Sequence, residues 1–485
     1  MRKRVLLLFN PRSTRGIGDR SLPMGLLMAC TYLHESLDVV LVDQRVEPRW
    51  KEILRNALDR EPVCMGVTVL TGRQISQGLI AALMAQHANC PVVLGGIHPS
   101  ILPEQTLSHP LVDYVVQGEG EESFRDLVHA LEEGDETSRI PGVWRKERER
   151  PLFGGPRDFV QLTSLPPTPF HLVDLKRYVQ TGPHGPSITM FSSRGCPQRC
   201  AFCYNSCFNR SRWRPFHLDQ VFGDLEALLA HRPELRHVQF WDDNFFVSLK
   251  RARQIAERMA GLGDSFTWSV LGAHIQDILR MKEGDLALFK GSGLQSVAVG
   301  VESGSQRILD MVGKSFTVEQ IFEANRRLGQ HGICPTYSFL SGIPGETWED
   351  IRSTVDLMFR LKRDNPRIVV GNIKPFLCYP GTQLHDKALT LGWKSPQRLE
   401  DWSDYVWTNY LNLGIPWLSP KEKRLRTWLY YYTVLMNPRY MFIRSRLFTW
   451  TATLLRPFAE WRVKHLYLGF PLAAWLLYQI QRILF

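Results

Sequence analysis

The chain has no long hydrophobic run. Its carboxyl-terminal uncharged stretch, His465 to Gln481, is 17 residues long and broken by Pro471, short of the roughly 20 apolar residues that a spanning helix needs. The opening MRKRVLLLFNP offers only Val5 to Phe9 as an apolar run, too short for a signal-peptide core and followed by no small-residue cleavage site. It reads as a first strand. Solenoid repeats and low-complexity tracts are absent, which excludes stacked-repeat and compositionally disordered architectures. The nine cysteines do not form a spread-out framework, since four crowd between Cys196 and Cys207; that spacing is metal-like rather than disulfide-like and points to a reducing cytoplasm.

What is present is a large apolar fraction, 44% of 485 residues, enough for two or three cores. The formal charge of +11 is uneven: residues 421–485 hold eleven Lys and Arg against Glu422 and Glu460. The basicity therefore belongs to the tail, and with no recognisable binding module a nucleic-acid partner is not expected.

Two α/β series follow one another. Short apolar runs at Val5 to Phe9, Val39 to Val42, Val63 to Val69, Val92 to Leu94 and Tyr114 to Val116 alternate with helical patterns, predicting a doubly wound, flavodoxin-like or Rossmann-like domain over 1–145. Residues 146–185, rich in Pro, Gly and charge, read as a linker. Over 186–395, strands near 187–191, 237–241, 266–270, 296–300, 336–340 and 368–373 predict a partial (β/α)6 barrel, and 396–485 reads as a helical, basic and aromatic carboxyl-terminal region. In both architectures ligands sit beyond the carboxyl ends of strands.

After the first strand of the second series comes Ser193-Arg-Gly-Cys196-Pro-Gln-Arg-Cys200-Ala-Phe-Cys203. Three thiols on one loop grip one face of a cubane and leave one iron open, provided Cys207 stays out. CxxxCxxC alone leaves a zinc knuckle with Cys207 as fourth ligand equally open. The set of Cys196, Cys200 and Cys203, with Phe202 before the third thiol, resembles the defining motif of the radical S-adenosylmethionine (SAM) superfamily. That resemblance implies a 4Fe-4S cluster whose fourth iron is chelated by the methionyl end of SAM. It further implies reductive cleavage to a 5′-deoxyadenosyl radical and a reductant such as flavodoxin or ferredoxin.

The resemblance assigns further strand ends. Asp243 and Asn244 of Trp241-Asp-Asp-Asn244 are the candidates for the SAM amine, with a helix N-cap as their ordinary alternative. Glu302 and Ser303 are the candidates for the ribose hydroxyls. Gly342 and Ile343 resemble the segment bordering the adenine, although such strings are by themselves turn residues.

In the amino-terminal series, Ser21-Leu-Pro-Met-Gly25, Gly95-Gly-Ile-His98-Pro-Ser100 and Gln117-Gly-Glu119 resemble the cobalamin-binding domain fused to one class of these enzymes. The expected corrin contacts are Asn10, Thr68, Leu70, Thr71, Gly95, Gly96, His98, Ser100, Gly118 and Glu119. A D-x-H-x-x-G string is missing, and His98 has neither an Asp two residues before nor a Gly three after; it is expected at the corrin edge rather than on cobalt.

The tail mixes its cations with Trp428, Tyr440, Phe442, Phe448, Trp450, Trp461, Phe470 and Trp475, among others, a composition suited to the headgroup layer of a membrane. The expectation is a cytoplasmic enzyme, in contact with a membrane surface through 421–485, that methylates an unactivated carbon of a hydrophobic small molecule or lipid. Oxidative cyclisation or ring rearrangement with the same cofactors is the alternative. A non-catalytic cobalamin or redox sensor is a third.

Overall fold

The computed structural model describes residues 3–13, 20–148, 150–263, 265–437, 446–469 and 471–484. Tyr440, Phe442 and Phe470 of the tail, and the side chain of Phe448, lie outside the described residues. The polypeptide forms two compact units: Met1–Gln180 with Pro215–Leu235 and Ser395–Val406, and Thr181–Arg214 with Arg236–Lys394 and Trp407–Phe485.

The first unit is built on strands β1 (Val5–Asn10), β2 (Asp38–Asp43), β3 (Met65–Thr68), β4 (Val92–Gly95), β5 (Tyr114–Val116), β6 (Val143–Glu147) and β7 (Arg150–Phe153). Their order is β2-β1-β3-β4-β5-β6-β7. The first five are parallel, and β1 is buried along its whole length, as a continuous apolar run between two helical layers requires. Strand order reverses between β1 and β3, the switch point at which doubly wound sheets bind ligands. Leu6, Leu8, Leu33, Phe124 and Leu127 fill one face. Gly66 lets helix Gly120–Glu133 close on it, since a Cβ there would stand 2.8 Å from Phe124 Cζ.

The expected linker over 146–185 is corrected by this sheet. β6 and β7 form an antiparallel ribbon on its edge, closed by Trp144 stacked on Phe153 at 4.6 Å. Pro151 is tolerated because an edge strand need not donate outward. Further along, Tyr178 donates to Asp43 Oδ2 at 3.0 Å and Arg177 pairs with Glu47. Residues 146–180 are thus integral to the first unit, and 181–185 open the second. Their Pro and Gly content masked alternation that packing uses.

The second unit adds β8 (Gln180–Gly182), β9 (Gly185–Met190), β10 (Ser193–Arg194), β11 (Arg214–Pro215), β12 (His237–Phe240), β13 (Thr267–Ala273), β14 (Leu294–Glu302), β15 (Cys334–Ser341) and β16 (Val369–Pro375). The large sheet runs β16-β15-β14-β13-β12-β9-β8, with β9 to β16 parallel neighbour to neighbour. These six strands and their helices form the open (β/α)6 barrel.

The region after 395 also divides differently from expectation. Ser395–Val406 packs with the first unit, and the rest packs with the second. Helix Pro420–Leu435 begins with a Ser419/Glu422 capping box and Pro at its first turn, a strong start signal. It packs along β16.

Candidate functional site

The cysteine loop leaves β9 and is fastened at both ends by the end of β12. Asp242, fully buried, accepts from Ser192 N at 2.7 Å, Ser192 Oγ at 2.6 Å and Ser193 Oγ at 2.5 Å. Burial lifts its pKa to about 6 against those hydrogen bonds. Asp243 accepts from Gly195 N at 2.9 Å, just ahead of Cys196, and from Tyr204 Oη at 2.8 Å, just beyond Cys203. Gly195 is required: its φ is +82° and a Cβ would come within 1.9 Å of Arg212 O. A third wall is the Val312–Lys314 turn, whose Val312 O accepts from Ala201 N at 2.9 Å.

The three thiols are mostly shielded, and burial pushes Cys196 to about 12 and Cys203 to about 11. At Cys200 burial also raises the pKa, opposed by the Lys314 ammonium. Such thiols stay neutral until iron binds, because coordination deprotonates them outright. Among the described residues no three His, Cys, Asp or Glu side chains converge to share one ion; a cubane takes each thiolate on a different iron. Cys207 lies one helical turn further on, its Sγ directed at Tyr204 O at 3.1 Å.

Lys314 has no counterpart in the sequence reading. Its Nζ donates to Gly300 O at 2.8 Å, stands 3.3 Å from Glu302 Oε1, and lies over the Phe202 ring at 5.6 Å from the centroid. Burial by itself lowers its pKa, but Glu302 and Cys200 raise it overall, so it remains an ammonium. Glu302 ends β14 in the left-handed region, φ +72°, where β14 and β15 slip register. This turns the carboxylate back over Gly300, whose Cβ would meet Glu302 Oε1 at 2.3 Å. No motif marks Lys314. Only the packing of the 312–314 turn on the cysteine loop brings it in.

Ser303 is buried and spends its hydroxyl locally, 3.2 Å from Thr354 Oγ1 and accepting from Ser305 N. Asn244 is buried, donates to Asp277 Oδ2 at 2.7 Å, and keeps Oδ1 without a partner. The approach of β13 to this corner depends on Gly272, where a Cβ would stand 2.2 Å from Asp242 O. Gly342 donates to Glu346 Oε2 at 2.6 Å and its carbonyl accepts from Trp417 Nε1 at 2.9 Å. Ile343 is buried beside it. Behind this loop Glu346 and Arg426, both fully buried, stand 3.5 Å apart, and burial raises Glu346 to about 7.

In the first unit the expected residues split into two groups. Gly96 has φ +98°, and a Cβ would stand 2.8 Å from Thr68 Oγ1, so the β3 and β4 ends approach closely. Ser100 Oγ accepts from Gly118 N at 2.8 Å, joining the β4 and β5 ends. Gly118 (φ +85°) and Gly25 face open space, and Leu70 is exposed. Gly95 closes β4 beside them. Asn10 instead donates to Asp43 Oδ2 at 3.1 Å within the Asp43, Arg45 and Tyr178 network, and Glu119 accepts from Val160 N at 3.0 Å. His98 is fully buried, bonded through Nδ1 to Thr71 Oγ1 at 3.0 Å and edge-on to Trp402 at 5.6 Å. Burial lowers its pKa to about 4, keeping the ring neutral.

Fold and site together define a protein with two sets of strand ends suited to cofactors, one lined by glycines and hydroxyls, one by thiols. Family models agree: residues 16–128 match the B12 binding domain and 190–358 the radical SAM superfamily. The uncharacterized methyltransferase PH0819 of Pyrococcus horikoshii is 30% identical over 405 residues, 81% of this chain and 85% of that one. The anaerobic magnesium-protoporphyrin IX monomethyl ester cyclase of Rubrivivax gelatinosus is 26% identical, over 68% of this chain and 59% of that protein. The structure of the cobalamin-dependent S-adenosylmethionine radical enzyme OxsB, with aqua-cobalamin and SAM bound, shares the fold at TM-score 0.75 and 17% identity over 99% of this chain and 75% of that one. The chain belongs to the radical SAM superfamily, in the branch that carries a B12-binding domain. It is a cobalamin-dependent radical SAM enzyme with a 4Fe-4S cluster, SAM and cobalamin as cofactors.

Proposed function

We propose that this enzyme methylates an unactivated carbon of a hydrophobic substrate. The supporting observation is the joint presence of a thiol loop clamped by two carboxylates and glycine-rich strand ends in a B12-binding domain, in a chain 30% identical to a protein named as a methyltransferase. When bound, the cluster and SAM supply a 5′-deoxyadenosyl radical and the corrin supplies a methyl group. Cys196, Cys200 and Cys203 hold the cluster. Asp242 and Asp243 hold their loop, and Asp243, expected at the SAM amine, is proposed as a brace beside it.

Lys314 fits the SAM carboxylate as a buried positive charge held beside Glu302 and Cys200. Asn244 Oδ1, buried and unpartnered, fits the SAM ammonium as acceptor. Glu302 retains lone pairs for the ribose, Phe202 flanks Lys314, and the Gly342-Ile343 backbone borders the adenine. Ser303 shapes the turn. On the corrin side Thr68, Leu70, Thr71, Gly95, Gly96, Ser100 and Gly118 would form the cradle, Asn10 and Glu119 would support it, and His98, bonded to Thr71 and packed on Trp402, would lie at the corrin edge. Electrons come from a flavodoxin or ferredoxin on the cytoplasmic side, and residues 421–485 bring the enzyme to a membrane surface holding its substrate.

The test is turnover of anaerobically reconstituted protein on a cell lipid extract with SAM labelled in its methyl group. Label in a lipid product is expected. A product formed without label overturns methylation in favour of cyclisation or rearrangement, the chemistry named for the Rubrivivax relative. Absence of 5′-deoxyadenosine overturns the enzyme reading in favour of a sensor.

A further inference from the structure

Among the described residues, nine of the fifteen exposed large apolar side chains fall between Trp450 and Leu476. They are ordered. On helix Arg446–Lys464 the residues Trp450, Leu454, Phe458 and Trp461 recur at helical spacing and are all exposed, Trp450 by 62% and Leu454 by 60%. Helix Leu472–Leu484 repeats the pattern with Leu472, exposed by 69%, Trp475 and Leu476.

The inward faces differ. Ala452, Ala459 and Val463 are buried, but so is Arg462, which donates to Tyr432 Oη at 2.7 Å and Gly469 O at 2.6 Å and stacks on Phe458 and Tyr467. Tyr431 donates to the buried Gln481 at 2.6 Å. These helices thus pack Leu477, Tyr478 and small or polar groups inward, Tyr478 against Trp428 and Tyr431 of helix Pro420–Leu435, and still leave a second set of large apolar side chains facing outward. Water does not select that arrangement; a patch of this extent marks an interaction site.

Charge decides among occupants. Residues 421–485 carry eleven cations and two carboxylates; Arg426 and Arg462 are buried, but both carboxylates are engaged, Glu460 by Lys362 and Arg456 and Glu422 by its own helix cap, so the surplus stays positive. A second copy would bring the same positive field to the contact and repel. Tryptophan, tyrosine and cations around an apolar face are what the headgroup layer accepts. No helix among the described residues is long and apolar enough to cross a membrane.

We propose that the outward faces of helices Arg446–Lys464 and Leu472–Leu484 form a monotopic docking surface for an anionic lipid bilayer. The helices lie in the plane of one leaflet, with Trp450, Leu454, Phe458 and Trp461 inserted at the level of the upper acyl chains and Lys464 at the phosphates. The inference deepens the reading of a membrane-held substrate and rests on it only for what is bound afterwards, since docking is measured without turnover.

The experiment is sedimentation of full-length holoprotein with vesicles of phosphatidylcholine alone and with about a third phosphatidylglycerol. Tight binding to the anionic vesicles is expected, weakened by salt. The combined variant Trp450→Ser, Leu454→Ser, Trp461→Ser and Trp475→Ser should bind at least about tenfold more weakly while keeping its iron content and its substrate-free cleavage of SAM. A variant that loses iron as well is replaced by Lys464→Glu, for which a weaker binding to anionic vesicles alone is expected. Equal binding by wild type and variant overturns the proposal, as does a wild type that ignores vesicles. A dimer dispersed by the same variant with vesicle binding unchanged assigns the face to a second copy. Failure of methyl transfer with vesicle binding intact overturns the catalytic reading and leaves the docking surface standing.

Discussion

The two sheets end in different chemistry. Beyond the first sheet stand glycines, hydroxyls and an exposed leucine, with the charged Asp43 tied into a network of its own. Beyond the second stand thiols, two loop-clamping carboxylates and a buried ammonium. A neutral macrocycle fringed with amides needs flat access and backbone groups, which small residues provide. A charged cluster and a zwitterionic amino acid need fixed counter-charges, which only buried, hydrogen-bonded side chains hold in place. The same strand-end principle therefore yields an open cradle in one unit and a clamped one in the other.

The comparison breaks most sharply at the thiols. Cys196→Ala should lose the cluster and at least about a thousandfold of SAM cleavage, read as iron, sulfide and 5′-deoxyadenosine. Cys207→Ala should retain both; loss of the cluster there would restore the four-cysteine reading. Next in size is Lys314→Ala, for which the KM for SAM should rise by about ten- to a hundredfold with iron content kept. A drop in kcat alone would remove Lys314 from the SAM site.

On the open side, Gly118→Leu should lower retained cobalamin by about tenfold, with cluster content unchanged. Equal retention would place the corrin elsewhere. The smallest effect concerns pH. Glu346 titrates at about 7 in the folded protein against an ordinary 4.5, so the folded state holds its proton more tightly across that window. Stability from this group is full below pH 4.5 and is lost as pH rises through 7. Glu346→Gln should flatten the fall in apoprotein melting temperature over that range, and an unchanged slope would assign it to other groups.

Much of this was legible because strands are local. The apolar runs at Val5, Val39, Val92 and Tyr114 and the six of the barrel all became strands close to their expected places. The cysteine loop, Asn244 and Glu302 stood out as chemistry-bearing residues at strand ends. The 146–185 stretch misled because an edge ribbon tolerates Pro151 and a central strand would not. Asn10, Asp243 and Glu119 were recognised as polar residues at strand ends, but which neighbour consumes each side chain depends on strands far apart in the chain.

Alone, the sequence determined the class: three thiols at spacings of four and three, placed after a strand, with glycine-rich ends in a preceding α/β series. Those are properties of neighbouring residues. Tertiary structure decided that Lys314 joins Glu302 and Cys200, that Trp402 seals His98, and that the tail turns one set of large apolar side chains outward. A buried charge and an exposed tryptophan are set by what packs against them, and that partner lies anywhere along the chain.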